Sequence, residues 1–161
     1  MLDVDGVMTD GTIHYSGSEI EGKSFHTQDG FGLRLLQEAG IEAGLITARC
    51  SEAVTRRASE LKLRYTFQGS SNKLATLTEI LKTSGFRPYQ IAYMGDDWLD
   101  LCLLSRVGLA LAPANAVAAV RETAHYVTSR PGGAGAVREA CELILEAKGL
   151  LTGLLQRYLS R

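Results

Sequence analysis

The chain opens with Met1-Leu2-Asp3-Val4-Asp5-Gly6, which reads as the last part of a strand, stopped by Gly6. Side chains alternate along a strand, so Asp3 and Asp5 share a face and can point into one small volume. Two close carboxylates repel each other unless a cation or a shared proton relieves them. Hard dications with oxygen ligands, Mg²⁺ above all, meet that need beside a phosphate.

Outward from this strand, apolar runs and helical patterns alternate. Thr12 to Tyr15 and Ile20 to Phe25 are extended runs around Ser16-Gly17-Ser18, which predicts a β-hairpin within 11–26. A helix is expected from about Asp29 to Ala39, with Gly40 just past its end. Ile41 to Thr47 reads as a buried strand, Ser51 as the N-cap of a helix to about Leu61, and Arg64 to Phe67 as a short strand. Leu74, Leu77, Ile80 and Leu81 recur at helical spacing within Ser71 to Lys82. Strands are expected at Gln90 to Met94, Val107 to Leu111 and His125 to Val127. Helices are expected at Asp97 to Ser105, from Pro113 to about Thr123, and from the Gly132-Gly133-Ala134-Gly135 run to about Ala147. The tail 148–161, with leucines at 150, 151, 154, 155 and 159, predicts an amphipathic helix or a face for a neighbouring subunit. Strand–helix alternation implies right-handed βαβ units. The fold class is α/β: a three-layer, Rossmann-like open parallel sheet with ligands beyond the carboxyl ends of its strands.

The 161 residues suit one domain with one core, and no repeat or low-complexity stretch divides them. A net charge of −1 gives no global reason to expect nucleic acid or an acidic membrane as partner. Three scattered cysteines without CxxC spacing argue against a disulfide framework or a cysteine-held zinc. No apolar run approaches the ~18 residues of a membrane span, and no signal peptide is legible. The expectation is a cytoplasmic protein.

A second acidic group, Gly95-Asp96-Asp97 with Asp100 beyond, also follows a strand. Between the two groups come Thr47, at a strand end, and Lys73, near a helix start. Converging on one crevice, these residues supply a nucleophile, a phosphate donor, a counter-cation and metal ligands. Singly, each has an ordinary reading. Asp-Xaa-Asp-Gly occurs in turns, Asp97 could cap its helix, and Asp100 could lie on a solvated face. Thr47 could simply end its strand, and Lys73 could be a surface lysine. The specific signal is all four in this order.

With Thr47, Lys73 and Gly95-Asp96-Asp97-Trp98-Leu99-Asp100, the opening Asp3 to Gly11 resembles the four motifs of haloacid dehalogenase-type phosphatases. Further stretches are similar to the 3-deoxy-D-manno-octulosonate 8-phosphate phosphatases: Thr9-Asp10-Gly11, Gln28 to Gly32, Gln68 to Lys73, and Gly132 to Glu139. The resemblance implies a nucleophile at Asp3, an acid–base at Asp5, and phosphoryl contacts from Thr47 and Lys73. Mg²⁺ would be held by Asp3, Asp5 and Asp96, with Asp97 and Asp100 supporting from outside. A small-molecule sugar-acid phosphate is the implied substrate, facing His26, Thr27, Gln28, Asp29 and Gly30. Its carboxylate suits the planar fork of an arginine, and Arg34, Arg49, Arg57 and Arg138 are the candidates. Only the hairpin follows the first motif, too short for a cap domain. The resemblance implies a homotetramer in which one chain closes another's site.

Two features depart from the family. Only Met1 and Leu2 precede Asp3, so a first strand shorter than in relatives is expected. Ala48 stands where relatives usually have glycine, which matters only if that backbone needs φ > 0. The alternatives are a phosphatase for a nonulosonate 9-phosphate, or a non-catalytic assembly module of the same fold. A phospho-receiver domain fits less well, because its acceptor aspartate follows a middle strand.

Overall fold

The computed structural model describes residues 1–16 and 20–160. The parallel strands β3 (Gly44–Ile46), β4 (Tyr65–Phe67), β5 (Ala92–Met94), β6 (Leu109–Ala112) and β7 (Tyr126–Val127) build the sheet. The pairs β4–β3 and β5–β6–β7 are joined through Leu2, which bridges Leu45 on one side and Met94 on the other. The Leu2 amide donates to Gly44 O at 3.0 Å and Ile46 N donates to Leu2 O at 2.9 Å. Met94 N donates to Met1 O at 3.1 Å, and Asp3 N to Met94 O at 2.9 Å. Three residues thus do the work of a central strand. The strand expected through Asp5 ends at Asp3, because the amides of Val7, Met8 and Thr9 all turn onto the Val4 carbonyl.

The sheet carries two apolar faces. Leu2, Leu45, Met94 and Leu111 pack with α1 (Thr27–Glu38), α2 (Glu52–Glu60), α6 (Ala136–Ala147) and α7 (Leu151–Leu159). Ile46, Tyr93, Ala110 and Ala112 pack with α3 (Lys73–Ser84), α4 (Leu101–Leu104) and α5 (Ala118–Thr123). Neighbours such as Leu45 and Ile46 go to opposite faces, as strand alternation requires, and the result is three layers.

The hairpin pairs β1 (His14–Ser16) with β2 (Ile20–Gly22), Tyr15 opposite Glu21. Its expected Gly/Ser turn lies outside the described residues. Among those described, no separate cap domain stands between the first loop and the hairpin's return at His26. Local chemistry moved several boundaries. The helical spacing within Ser71 to Lys82 becomes α3 from Lys73, capped by Asn72, which accepts from Ala75 N at 3.0 Å. Ser51 holds the N-cap position of α2 but makes no capping bond. The helix expected from Pro113 starts at Ala118, because Pro113 heads a turn closed by Ala116 N. The helix expected from Asp97 is a 3₁₀ turn, Trp98–Asp100, followed by α4. The tail forms α7 and buries Leu154.

Candidate active site

The central strand, β3 and β5 end side by side, and their carboxyl ends frame a crevice of about 260 Å³ lined by Asp3, Asp5, Thr47, Arg49, Lys73 and Asp96, among others. Asp3 is 9% exposed. The Lys73 ammonium lies 2.9 Å from Asp3 Oδ1 and 2.6 Å from Asp100 Oδ1. Asp100, fully buried, also accepts from the Tyr93 hydroxyl at 2.6 Å and from Asp96 N at 3.0 Å. Burial lowers the Lys73 pKa, but the attraction of Asp3 and Asp100 outweighs it and leaves the pKa raised, so the ammonium stays charged.

Asp3 and Asp96 carry repulsion that Lys73 does not fully offset. Burial, and then the charge of Asp100, pushes Asp3 up to about 6 despite Lys73. Burial, and then Asp3 and Asp100, pushes Asp96 up to about 7. Among the described residues Asp96 makes no salt bridge, while carboxylate oxygens of Asp3, Asp96 and Asp100 lie within 4.8 Å of one another. Such a set fits a hard dication, whose charge would relieve the repulsion. Asp100 already spends its oxygens on Lys73, Tyr93 and two backbone amides, which leaves Asp3 and Asp96 as the freer donors. The loop makes room for this arrangement. Gly6 has φ +81°, and a Cβ there would stand 2.0 Å from Asp96 Oδ2. Gly132 seats the C-terminal signature on the same loop, since its Cβ would meet Gly6 O at 1.8 Å.

Thr47 is buried at the end of β3, its hydroxyl accepting from Arg49 N at 3.3 Å. Ala48 does not have positive φ, so the departure from glycine costs no backbone strain. Asp97 takes the capping role, accepting from Trp98 N at 2.7 Å, and its side chain is exposed at the rim.

Other candidates lie away from the crevice of this chain. Asp29 is 2% exposed, and its carboxylate accepts from Gly135 N and Arg138 N at the start of α6. Arg57 lies over Phe25 and donates to His26 O, and a side chain at Gly30 would collide with its Nη2. Arg138 pairs with Glu142 at 2.7 Å and lies over Phe31. Thr27, Gln28 and Arg34 are exposed on α1. Of the four arginines, Arg49 is the one that lines the crevice.

Three residues escaped the motif reading. The Lys23 side chain is 1% exposed and lies 2.5 Å from Asp5 Oδ1 and 2.7 Å from Glu21 Oε1. Glu21 holds Arg49 at 2.5 Å. Two charges two apart on a hairpin strand share a face, which was the available signal. Tyr93 sits in an apolar strand that gives no hint of its hydroxyl.

A family model described as haloacid dehalogenase-like hydrolase matches residues 66–138. The 3-deoxy-D-manno-octulosonate 8-phosphate phosphatase KdsC of Yersinia pestis is 43% identical over 153 residues, 95% of this chain and 82% of that protein. A probable YrbI family phosphatase from Pseudomonas syringae superposes with TM-score 0.96 at 44% identity, over 98% of this chain and 90% of that one. The 3-deoxy-D-manno-octulosonate 8-phosphate phosphatase of Moraxella catarrhalis, solved with magnesium, phosphate and KDO, superposes with TM-score 0.95 at 39% identity, over 98% and 90% of the two chains. With likeness of this extent in sequence and in fold, the chain belongs to the haloacid dehalogenase-like hydrolases, in the family of 3-deoxy-D-manno-octulosonate 8-phosphate phosphatases.

Proposed function

We propose that this chain is a Mg²⁺-dependent phosphatase that hydrolyses 3-deoxy-D-manno-octulosonate 8-phosphate through a phosphoryl group carried on Asp3. The observation behind this reading is the buried Asp3–Lys73 pair, at 2.9 Å, beside Asp96, which makes no salt bridge among the described residues, at the carboxyl ends of the central strands. The relative solved with magnesium, phosphate and KDO supports the choice of metal and substrate.

Asp3, the backbone carbonyl of Asp5, and Asp96 would hold the ion, with Asp97 and Asp100 outside them. When bound, Mg²⁺ supplies positive charge to the carboxylates and to the phosphoryl oxygens. An Asp3 oxygen attacks phosphorus, the bond from phosphorus to the sugar oxygen breaks, and Asp5 gives that oxygen its proton. Water then attacks phosphorus, Asp5 takes the water's proton, the bond to Asp3 breaks, and phosphate leaves. Thr47 donates its hydroxyl to the phosphoryl oxygens, and Lys73 offsets the charge spread over them.

Arg49 takes the substrate carboxylate, a role suited to a guanidinium at the crevice wall. In a homotetramer, Arg34, Arg57, Arg138 and the segment 26–30 would face a neighbour's crevice. The reaction belongs to lipopolysaccharide precursor synthesis in the cytoplasm. No helix among the described residues is long and apolar enough to cross a membrane. Phosphate release from a panel of sugar-acid phosphates, with and without Mg²⁺, tests the reading. The octulosonate 8-phosphate should be turned over fastest and only with the metal; a preference for a nonulosonate 9-phosphate would reassign the substrate.

A further inference from the structure

The hairpin sets against Asp5, which lines the crevice, a lysine that none of the four motifs includes. Lys23 stands just past β2; its side chain is 1% exposed, and its ammonium is held between Asp5 at 2.5 Å and Glu21 at 2.7 Å. A buried ammonium is retained only where it is paired, and here Asp5 accepts its hydrogen bond while Glu21 adds an ion pair. Among the described contacts, Lys23 is the one donor to the Asp5 carboxylate. That carboxylate has two torsions to restrain, and proton transfer needs it held within hydrogen-bond reach of the reacting oxygen.

We propose that Lys23 is the positioning residue for Asp5. Reaching in from the hairpin, it fixes the direction of the carboxylate, and Glu21 fixes Lys23. The second half-reaction depends on this most. There the oxygen of water bonds to phosphorus, its proton passes to Asp5, the phosphorus–Asp3 bond breaks, and Asp3 recovers its electron pair. The proposal rests on the reading of Asp5 as acid and base.

p-Nitrophenyl phosphate separates the two half-reactions, because p-nitrophenolate departs without needing a proton. In rapid mixing with the Mg²⁺-loaded enzyme, Lys23→Met should release its first p-nitrophenolate within about two-fold of the wild-type rate, then turn over roughly ten-fold or more slowly. Lys23→Arg, which keeps a cation in reach of both carboxylates, should recover most of that loss. First turnover and steady state falling together would overturn the proposal, as would no change in either. Asp5→Asn, run in parallel, tells the two ideas apart. If it turns over at the wild-type rate, the acid–base reading of Asp5 fails. If it stalls after one turnover while Lys23→Met does not, only the role of Lys23 fails.

Discussion

The Lys73 ammonium stands 2.6 Å from Asp100 Oδ1, and both side chains are buried. Each of the other donors to Asp100, the Tyr93 hydroxyl, Asp96 N and Asp97 N, presents a hydrogen to it. An asparagine there would turn an NH₂ toward donors at one end or the other. Asp100→Asn should therefore destabilise the protein by about 3 kcal/mol, the cost of breaking a buried pair from one side. It should also slow turnover about 100-fold, since Lys73 loses its anchor. Urea unfolding and phosphate release would measure the two effects.

Asp3→Asn addresses the nucleophile. The amide keeps the shape of the side chain, and Lys73 keeps Asp100, so the fold should survive. Turnover should fall by about 10⁴-fold or more, and acid quenching should trap no phosphorylated protein. Retained phosphorylation would move the nucleophile elsewhere.

Arg49 tests substrate choice. A hydrogen bond to a charged group is worth about 1.5–3 kcal/mol, so Arg49→Ala should raise KM for a sugar-acid phosphate by about 10- to 100-fold. p-Nitrophenyl phosphate has no carboxylate and should change by less than about three-fold. Equal losses on both would remove Arg49 from carboxylate recognition.

How much of this was legible depends on whether a residue's role is local. Asp3, Thr47, Lys73 and Asp96 were legible because strand ends and helix starts place them, and those are set by nearby sequence. Asp29 was not. In sequence it belongs to a segment resembling a substrate loop, yet its carboxylate accepts from Gly135 N, a pairing 106 residues long. Asp97 had two readings, and its side chain takes the capping one. The strand periodicity that identifies β5 hides Tyr93, because a buried hydroxyl and a buried phenyl look alike in a pattern of apolar positions. The central strand shows the reverse case. A short first strand was expected there, and Leu2 bridges Leu45 on one side and Met94 on the other.

The hairpin leaves apolar groups in water. Tyr15 is 76% exposed and Ile13 37%, while Trp98 and Leu99 stand exposed at the crevice rim. Apolar surface beside an open site is what an assembly would cover. Light scattering should give the mass of the proposed homotetramer. Ile13→Glu with Tyr15→Glu should yield smaller species that turn over sugar-acid phosphates more slowly, and a fully active monomer would refute the shared lid.

The raised carboxylates make stability depend on pH and metal together. Burial, and then the charges of Asp3 and Asp100, push the Asp96 carboxyl up to about 7 in the folded chain, against an ordinary 3.8. Between those values the folded state holds a proton that the unfolded state has lost. This contribution to stability is complete below the unfolded pKa and disappears as pH rises through about 7. Asp3, raised to about 6, acts in the same direction. Metal-free protein should thus lose several degrees of Tm between about pH 5 and pH 8. Mg²⁺ binds the ionised carboxylates, so it should raise Tm more at the upper pH than at the lower. Other groups titrate in this window, so the comparison that isolates the site is Asp96→Asn. That variant should flatten the metal-free slope and abolish most of the Mg²⁺ shift, both read by calorimetry. An unchanged slope would mean that Asp96 is not under the strain its surroundings impose.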